Sequence, residues 1–357
     1  MTAPLMTPLA REIAARIERD GKLPVAEFMR LCLAHPEHGY YRTQPAIGTA
    51  GDFITAPEIS QVFGELIGLW AAEIWSAIGR PSPVLLVELG PGRGTLMADA
   101  LRAAAKVAPG FRAALRVHLV EINTALRRRQ EAALGHAGPQ WHDTLDTLPE
   151  GPLLVIANEF FDALPIRQLV RTAEGWREHC VMLSDGRLAF GAGEAVAHDG
   201  TAAPGSIIEL SPDSEERMAT IAGRIARHRG AALIVDYGPF QSSPGDTLQA
   251  VRRQQKVDPL AEPGLADLTA HVDFTRLAAV ARTAGAAAYG PIPQGILLKR
   301  LGIAARAATL IRNAGAERGR TIETAIARLI EPDQMGTLFK ALAIVDRDQP
   351  SPPGFVP

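Results

Sequence analysis

The chain has 357 residues, enough to bury a substantial core as one large α/β domain with insertions or as two domains. Its 37 basic and 39 acidic side chains leave a net charge of -2, which excludes wholesale electrostatic binding to nucleic acid or to an anionic membrane. Cys32 and Cys180 are its only cysteines, far apart and without histidines at ligand spacing, which argues against a metal site or a disulfide framework and for a reducing compartment.

The N-terminal stretch MTAPLMTPLAREIAARIERDG has no signal-peptide apolar core and interleaves its arginines with Glu12, Glu18 and Asp20, unlike a transit peptide. No apolar run approaches the ~18 residues of a membrane span. With an Ala- and Arg-rich, bacterial-looking composition, a cytoplasmic location is expected. From Leu5 to Arg19 the residues Leu9, Ile13 and Ile17 share one helical face, and Pro24 opens a second helix, VAEFMRLCLA. The next stretch, HPEHGYYRTQPAIGTAGDFITAPEIS, has no period; a loop of this length is usually functional or disordered, and its aromatic and apolar content favours function. Helical spacing returns from Gln61 to Ile78, so residues 1–80 are expected to form a helical cap and an active-site loop.

Strands and helices then alternate: Val84 to Leu89, a helix Thr95 to Val107, the strand RVHLVEIN, the helix NTALRRRQEAAL and the strand GPLLVIANEFF. This order predicts a parallel, doubly wound sheet whose first part covers residues 81–166. The runs QLVRTA, WREHCVML and RLAFGA, broken by EG and DG turns, predict an antiparallel β-rich insertion over 167–210. PDSEERMATIAGRIARHRG reads as a helix, AALIVDYG resumes the parallel pattern, and DFTRLAAVARTAG and GILLKRLGIAARAATLI read as further helices. FKALAIVD is the last strand of the second part of the core, 211–348, before a Pro-rich tail, 349–357.

In VELGPGRGTL the glycines Gly90, Gly92 and Gly94 allow a sharp turn and close approach of a ligand at the mouth of a helix. Spacing alone leaves the ligand open, since dinucleotide sites use a related pattern. The charges separate the classes. Glu88 would repel a pyrophosphate and Pro91 removes one amide donor, whereas S-adenosylmethionine carries a sulfonium and an ammonium group and no phosphate. Arg93 is the counter-argument, because it suits a phosphate or a ligand carboxylate. At the end of the next strand Glu121 stands where an acid accepts hydrogen bonds from ribose hydroxyls, although an acid at a helix start is also favoured by the macrodipole. The third strand ends in NEFFDALP, placing Asn158, Glu159 and Asp162 at the carboxyl edge of the sheet, with capping and turn roles as the alternative.

GDFITAPEISQVFGELIG, ELGPGRGTL, NEFFDALP, IVDYG, GDTLQAV and GLADLTAHVDF, in this order within a similarity running from about Leu5 to Asp346, resemble the MidA-type S-adenosylmethionine-dependent methyltransferases, a family that includes a mitochondrial complex I assembly factor methylating a protein arginine. The resemblance implies an α/β class I methyltransferase fold, Rossmann-like and doubly wound, with a mostly parallel seven-stranded sheet, an N-terminal helical cap and a β-rich insertion. It implies S-adenosyl-L-methionine as cofactor, held by Glu88, Gly90, Gly92, Gly94 and Glu121, with Asp52 and Thr55 of GDFITAPEIS over the same pocket. Asn158, Glu159 and Asp162 would line the methyl-transfer site. It implies a protein partner, with a respiratory complex I subunit as one such acceptor, and no nucleic acid. It carries no role for His271.

A guanidinium, with a pKa of roughly 12.5 to 13.8, arrives charged, so Glu159 and Asp162 are candidates to grip it bidentately, and Asp52 is a third acid on a loop that can close over the site. No metal is required. The competing readings are a nicotinamide-dependent oxidoreductase on a Rossmann sheet and a non-enzymatic complex I assembly scaffold that keeps a methyltransferase fold.

Overall fold

The computed structural model of the chain describes residues 7–43 and 54–355. These residues form two compact units: one from 54–161, 215–241 and 272–355, the other from 7–43, 162–214 and 242–271.

The first unit is built on a seven-stranded sheet. Its strands in chain order are β1 Val84–Leu89, β2 Leu115–Val120, β3 Gln140–His142, β4 Leu153–Asn158, β5 Gly230–Tyr237, β6 Ala287–Pro293 and β7 Phe339–Val345. Their order across the sheet is β3-β2-β1-β4-β5-β7-β6. The first five lie parallel and β7 runs antiparallel to both neighbours. β1, β4, β5 and β7 are buried along their whole length, which is why they read as continuous apolar runs rather than alternating ones. The doubly wound, mostly parallel sheet expected from the sequence is therefore present. β6 carries no strand signal in the sequence because Gly290, Pro291 and Pro293 interrupt it; it sits at the sheet edge with an irregular register between Tyr289 and Ile292, where proline is tolerated.

The helix Thr95–Val107 buries Leu96, Met97, Ala100, Leu101 and Ala104 on one face. It packs against Gln61–Ala77, whose first turn is capped by Ser60 accepting the Val62 N–H at 3.3 Å. The two helices meet at glycines: a Cβ on Gly68 would lie 2.5 Å from Ala100 Cα, and one on Gly64 2.7 Å from Asp99 Cβ. Glu65, between these glycines, is buried and ion-paired to Arg306 of Ile303–Arg312 at 2.6 Å and to Arg102 of Thr95–Val107 at 3.1 Å, so one carboxylate fastens three helices.

The second unit contains an antiparallel five-stranded sheet, Leu23–Pro24, Gly175–Ser184, Arg167–Thr172 and Ile207–Leu210 in that order, with Arg187–Ala195 pairing Gly175–Ser184. A three-stranded antiparallel sheet of Gln255–Val257, Gln249–Arg252 and Asp267–Thr269 completes its β-structure. The helices Pro8–Asp20 and Val25–Ala34 contribute Leu9, Ile13, Ile17, Phe28 and Met29 to a core shared with Ile166, Val181 and Leu268. Among the described residues no helix is long and apolar enough to cross a membrane.

Candidate active site

The strand order reverses between β1 and β4: the chain winds outward through β2 and β3, then returns to pair β4 beside β1. In open α/β sheets ligands bind outside the carboxyl ends of the strands at such a switch point. The two segments that emerge there are the glycine loop after β1 and NEFF after β4.

Gly90, Gly92 and Gly94 have φ of +59°, +54° and +82°, the left-handed region in which a Cβ is strained. A side chain at Gly90 would also meet Phe160 Cδ2 at 3.0 Å, so the loop lies directly against the turn after β4. The Gly90 N–H donates to the Val120 carbonyl at 3.0 Å and the Gly94 N–H to that of Pro91 at 2.8 Å. With these amides engaged and Pro91 lacking one, the loop is a poor cradle for a pyrophosphate. Glu88 is buried, and desolvation pushes its carboxyl up to about 8. Its Oε2 has no hydrogen-bond partner among the described residues. A buried, unpartnered carboxylate oxygen beside a glycine loop fits a cationic ligand and not an anionic one.

Glu121 is also buried, beyond the end of β2. Its Oε1 accepts the Asn123 N–H at 2.7 Å and its Oε2 the Gln130 Nε2–H at 3.2 Å. Burial raises its pKa against the opposing effect of these donors. Asn123 caps the helix Thr124–Leu134, accepting from the N–H groups of Ala125 and Leu126. Gln130, on that helix, donates to the Gly92 carbonyl at 2.7 Å as well, and no sequence signal marks it.

After β4, Glu159 adopts φ +50°, a left-handed conformation uncommon outside glycine. Its Oε1 accepts the Ala56 N–H and the Asn158 Nδ2–H, each at 3.1 Å. Asn158 is buried, and with its amide nitrogen held by Glu159 its Oδ1 has no partner among the described residues. The turn is held from β5 by Asp236, fully buried, whose Oδ2 accepts the N–H groups of Phe160 at 3.2 Å and Phe161 at 3.0 Å.

Thr55 precedes the four-residue helix Ala56–Ile59, which Glu159 anchors at Ala56. Glu58 of this helix pairs with Arg93 at 3.1 Å and accepts from Thr95 Oγ1. Arg93 therefore ties the glycine loop to Thr55–Ile59, which removes the argument for a phosphate. Glu88, Gly90, Gly92, Gly94, Glu121, Thr55, Asn158 and Glu159 are all in the first unit. Asp162 belongs to the second, where it is buried, accepts the Ala270 N–H at 2.9 Å through its carbonyl and contributes to raising the pKa of the half-buried Tyr41 phenol, an effect dominated by desolvation. His271 is exposed in that unit, its N–H donating to Thr247 Oγ1 at 2.8 Å. Asp52 lies outside the described residues. No group of three or more His, Cys, Asp or Glu among the described residues is arranged to hold a metal ion.

A sheet of this order, with an acid and a glycine loop at its switch point and a second acid one strand away, defines a class I S-adenosylmethionine-dependent methyltransferase. Residues 66–292 match the model of the S-adenosyl-L-methionine-dependent methyltransferase family Methyltransf_28, and the chain belongs to that family. It is 39% identical over 374 residues to the mitochondrial protein arginine methyltransferase NDUFAF7 homolog of Drosophila melanogaster, covering 94% of this chain and 84% of that protein. Mitochondrial protein arginine methyltransferase NDUFAF7 of Homo sapiens is 35% identical over 376 residues, with 95% and 84% covered. A COG1565 superfamily member from Burkholderia thailandensis, bound to S-adenosyl-homocysteine, superposes with a TM-score of 0.82 at 26% identity, over 100% of this chain and 96% of that one. A native COG1565 structure from the same organism gives 0.84 at 29% identity, over 99% and 98%.

Proposed function

We propose that this methyltransferase acts on a guanidinium nitrogen of a protein arginine. The observation that carries the reading is Asn158 Oδ1: a buried acceptor at the end of β4, unpartnered among the described residues and held in orientation by Glu159. A guanidinium offers only N–H donors and a site for it must present acceptors. The names of the relatives, protein arginine methyltransferases along nearly the whole chain, support the same reading.

Glu88 and the backbone of Gly90, Gly92 and Gly94 would hold the cationic methionine end of the cofactor, Glu121 its ribose hydroxyls, and Thr55 the near wall. When bound, S-adenosylmethionine supplies an activated methyl group on a sulfonium. The protein's part is positioning, which accounts for much of the rate of such a displacement. Asn158 orients one guanidinium nitrogen, and the Glu159 carboxylate stabilises the cation and receives the proton that this nitrogen sheds. Asp162 is the second acid assigned to the acceptor, and a respiratory complex I subunit is the acceptor we favour. A cytoplasmic location is part of the proposal; the animal relatives are mitochondrial by name.

The test incubates the enzyme and labelled S-adenosylmethionine with a lysate of a strain lacking it, then maps the label. Methyl-arginine on a protein is expected, and label confined to small molecules or RNA would refute the reading. E159Q and D162N, measured separately, should cut methylation at least tenfold while S-adenosylhomocysteine binds within about threefold of wild type.

A further inference from the structure

Gln130 is fully buried in the middle of the polar helical run TALRRRQEAAL. Its side chain makes three hydrogen bonds. Trp141 Nε1–H, from β3, donates to its Oε1 at 2.8 Å. An indole nitrogen is only a donor, so Oε1 must be the atom at that end. The Nε2 group is thereby turned toward two acceptors, the Gly92 carbonyl at 2.7 Å and Glu121 Oε2 at 3.2 Å. The Gly94 position lies against the same side chain: a Cβ there would stand 3.5 Å from Gln130 Cγ and 3.2 Å from Leu134 Cδ1.

We propose that Gln130 is a positioning residue that sets cofactor affinity, one buried amide locking the glycine loop and Glu121 into the single arrangement that receives S-adenosylmethionine, with Trp141 fixing which way the amide faces. This rests on the assignment of the loop and Glu121 to the cofactor. Without the Nε2 donor, Gly92 loses its tie to the helix, and Glu121 loses one of the groups that hold its carboxylate in place. A site whose parts must be ordered by the ligand binds more weakly than one already ordered.

The experiment measures S-adenosylhomocysteine binding by titration calorimetry in the full chain, with circular dichroism to show that each variant is folded. Q130M keeps the volume and removes the polar ends; its Kd should rise about tenfold or more, ~1.4 kcal/mol. W141F leaves Gln130 in place but frees its amide to turn, and should weaken binding severalfold. Q130E supplies the readout that a packing role would not move. At pH 8 its carboxylate faces that of Glu121 and binds worse than Q130M, whereas at pH 6 the pair shares a proton, one acid regains a donor, and affinity recovers relative to wild type. The charged groups around Glu121, namely Arg127 donating to the Glu121 carbonyl, Asp143 paired to Arg127, and His142, whose carbonyl accepts the Glu121 N–H, are present in both proteins, as is the titrating Glu88, so the ratio isolates position 130.

Wild-type affinity in Q130M overturns the proposal, as does a Q130E to wild-type ratio that is flat with pH. E121Q separates the two levels. If it binds weakly while Q130M is normal, the cofactor assignment stands and the positioning role falls; if both are normal, the assignment of Glu121 falls with it.

Discussion

Glu88 links the charge logic of the glycine loop to a measurable titration. Its folded pKa, about 8, stands above the ordinary value of 4.5. Between those values the folded protein holds a proton that the unfolded chain has released. The stabilisation is complete below about 4.5 and is lost as pH rises through 8, a change on the order of a few kcal/mol across the window. E88Q should remove this slope and be more stable than wild type at pH 8 in urea melts. Cofactor binding follows the opposite trend, because a cationic ligand needs the carboxylate. Wild-type affinity should rise by up to tenfold per pH unit from 6 to 8, and E88Q should bind weakly without that rise. A flat wild-type profile would sink the assignment. The positions of Glu88, Glu121 and the three glycines at the carboxyl edge of the sheet can be read from the sequence, because Glu88 closes an apolar strand run and the others follow strand ends. The roles of Gln130 and Asp236 cannot, since neither a glutamine inside a charged helix nor an acid inside IVDYG announces which distant amide or carbonyl it will meet.

At the scale of elements, the apolar runs of β1, β4, β5 and β7 and the periodicity of the flanking helices were readable, because burial on both faces or on one leaves a direct pattern. β6 was hidden by its prolines. The pairing of Leu23 with Val181 in the antiparallel unit was hidden by sequence distance, which no periodicity encodes. The junction of Gln61–Ala77 with Thr95–Val107 shows what pattern misses: Gly64 and Gly68 look like weak helix formers and are instead the points of closest approach. G68A puts a Cβ 2.5 Å from Ala100 Cα and 2.7 Å from its carbonyl oxygen, backbone atoms that yield only if the helices separate. It should cost about 3 kcal/mol by chemical denaturation. G110A, where the nearest atom is the Trp75 ring at 3.6 Å, should be neutral or slightly stabilising. The Glu65 cluster at the same junction has the opposite pH sign from Glu88. Burial raises its carboxyl but Arg306 and Arg102 together lower it below the ordinary value, so its stabilisation is present above about 4.5 and is lost as pH falls. R306M leaves that carboxylate only partly paired and should cost about 1–3 kcal/mol at pH 7, with less cost at pH 4.

For the whole molecule, the parallel order β3-β2-β1-β4-β5 is common to doubly wound folds, and a nicotinamide-dependent enzyme begins from the same βαβ logic. The local bonds decide between them. A pyrophosphate needs free amides and tolerates no buried acid beside it. Here Gly90 and Gly94 have already donated to carbonyls, Arg93 is paired with Glu58, and Glu88 is buried under the loop. The two ligands therefore predict different melting behaviour. At 100 times its Kd, S-adenosylhomocysteine should stabilise the fold by about 2.7 kcal/mol. At ~2–4 °C per kcal/mol for domains of this size, the melting temperature should rise by roughly 5–10 °C. NAD at the same concentration should leave it unchanged, since its phosphates meet a loop with the Gly90 and Gly94 amides engaged, a proline, an arginine already ion-paired and a buried acid. A shift with NAD and none with S-adenosylhomocysteine would mean that the loop accepts phosphate despite its bonding, and the charge argument built on Glu88 would be wrong at its root.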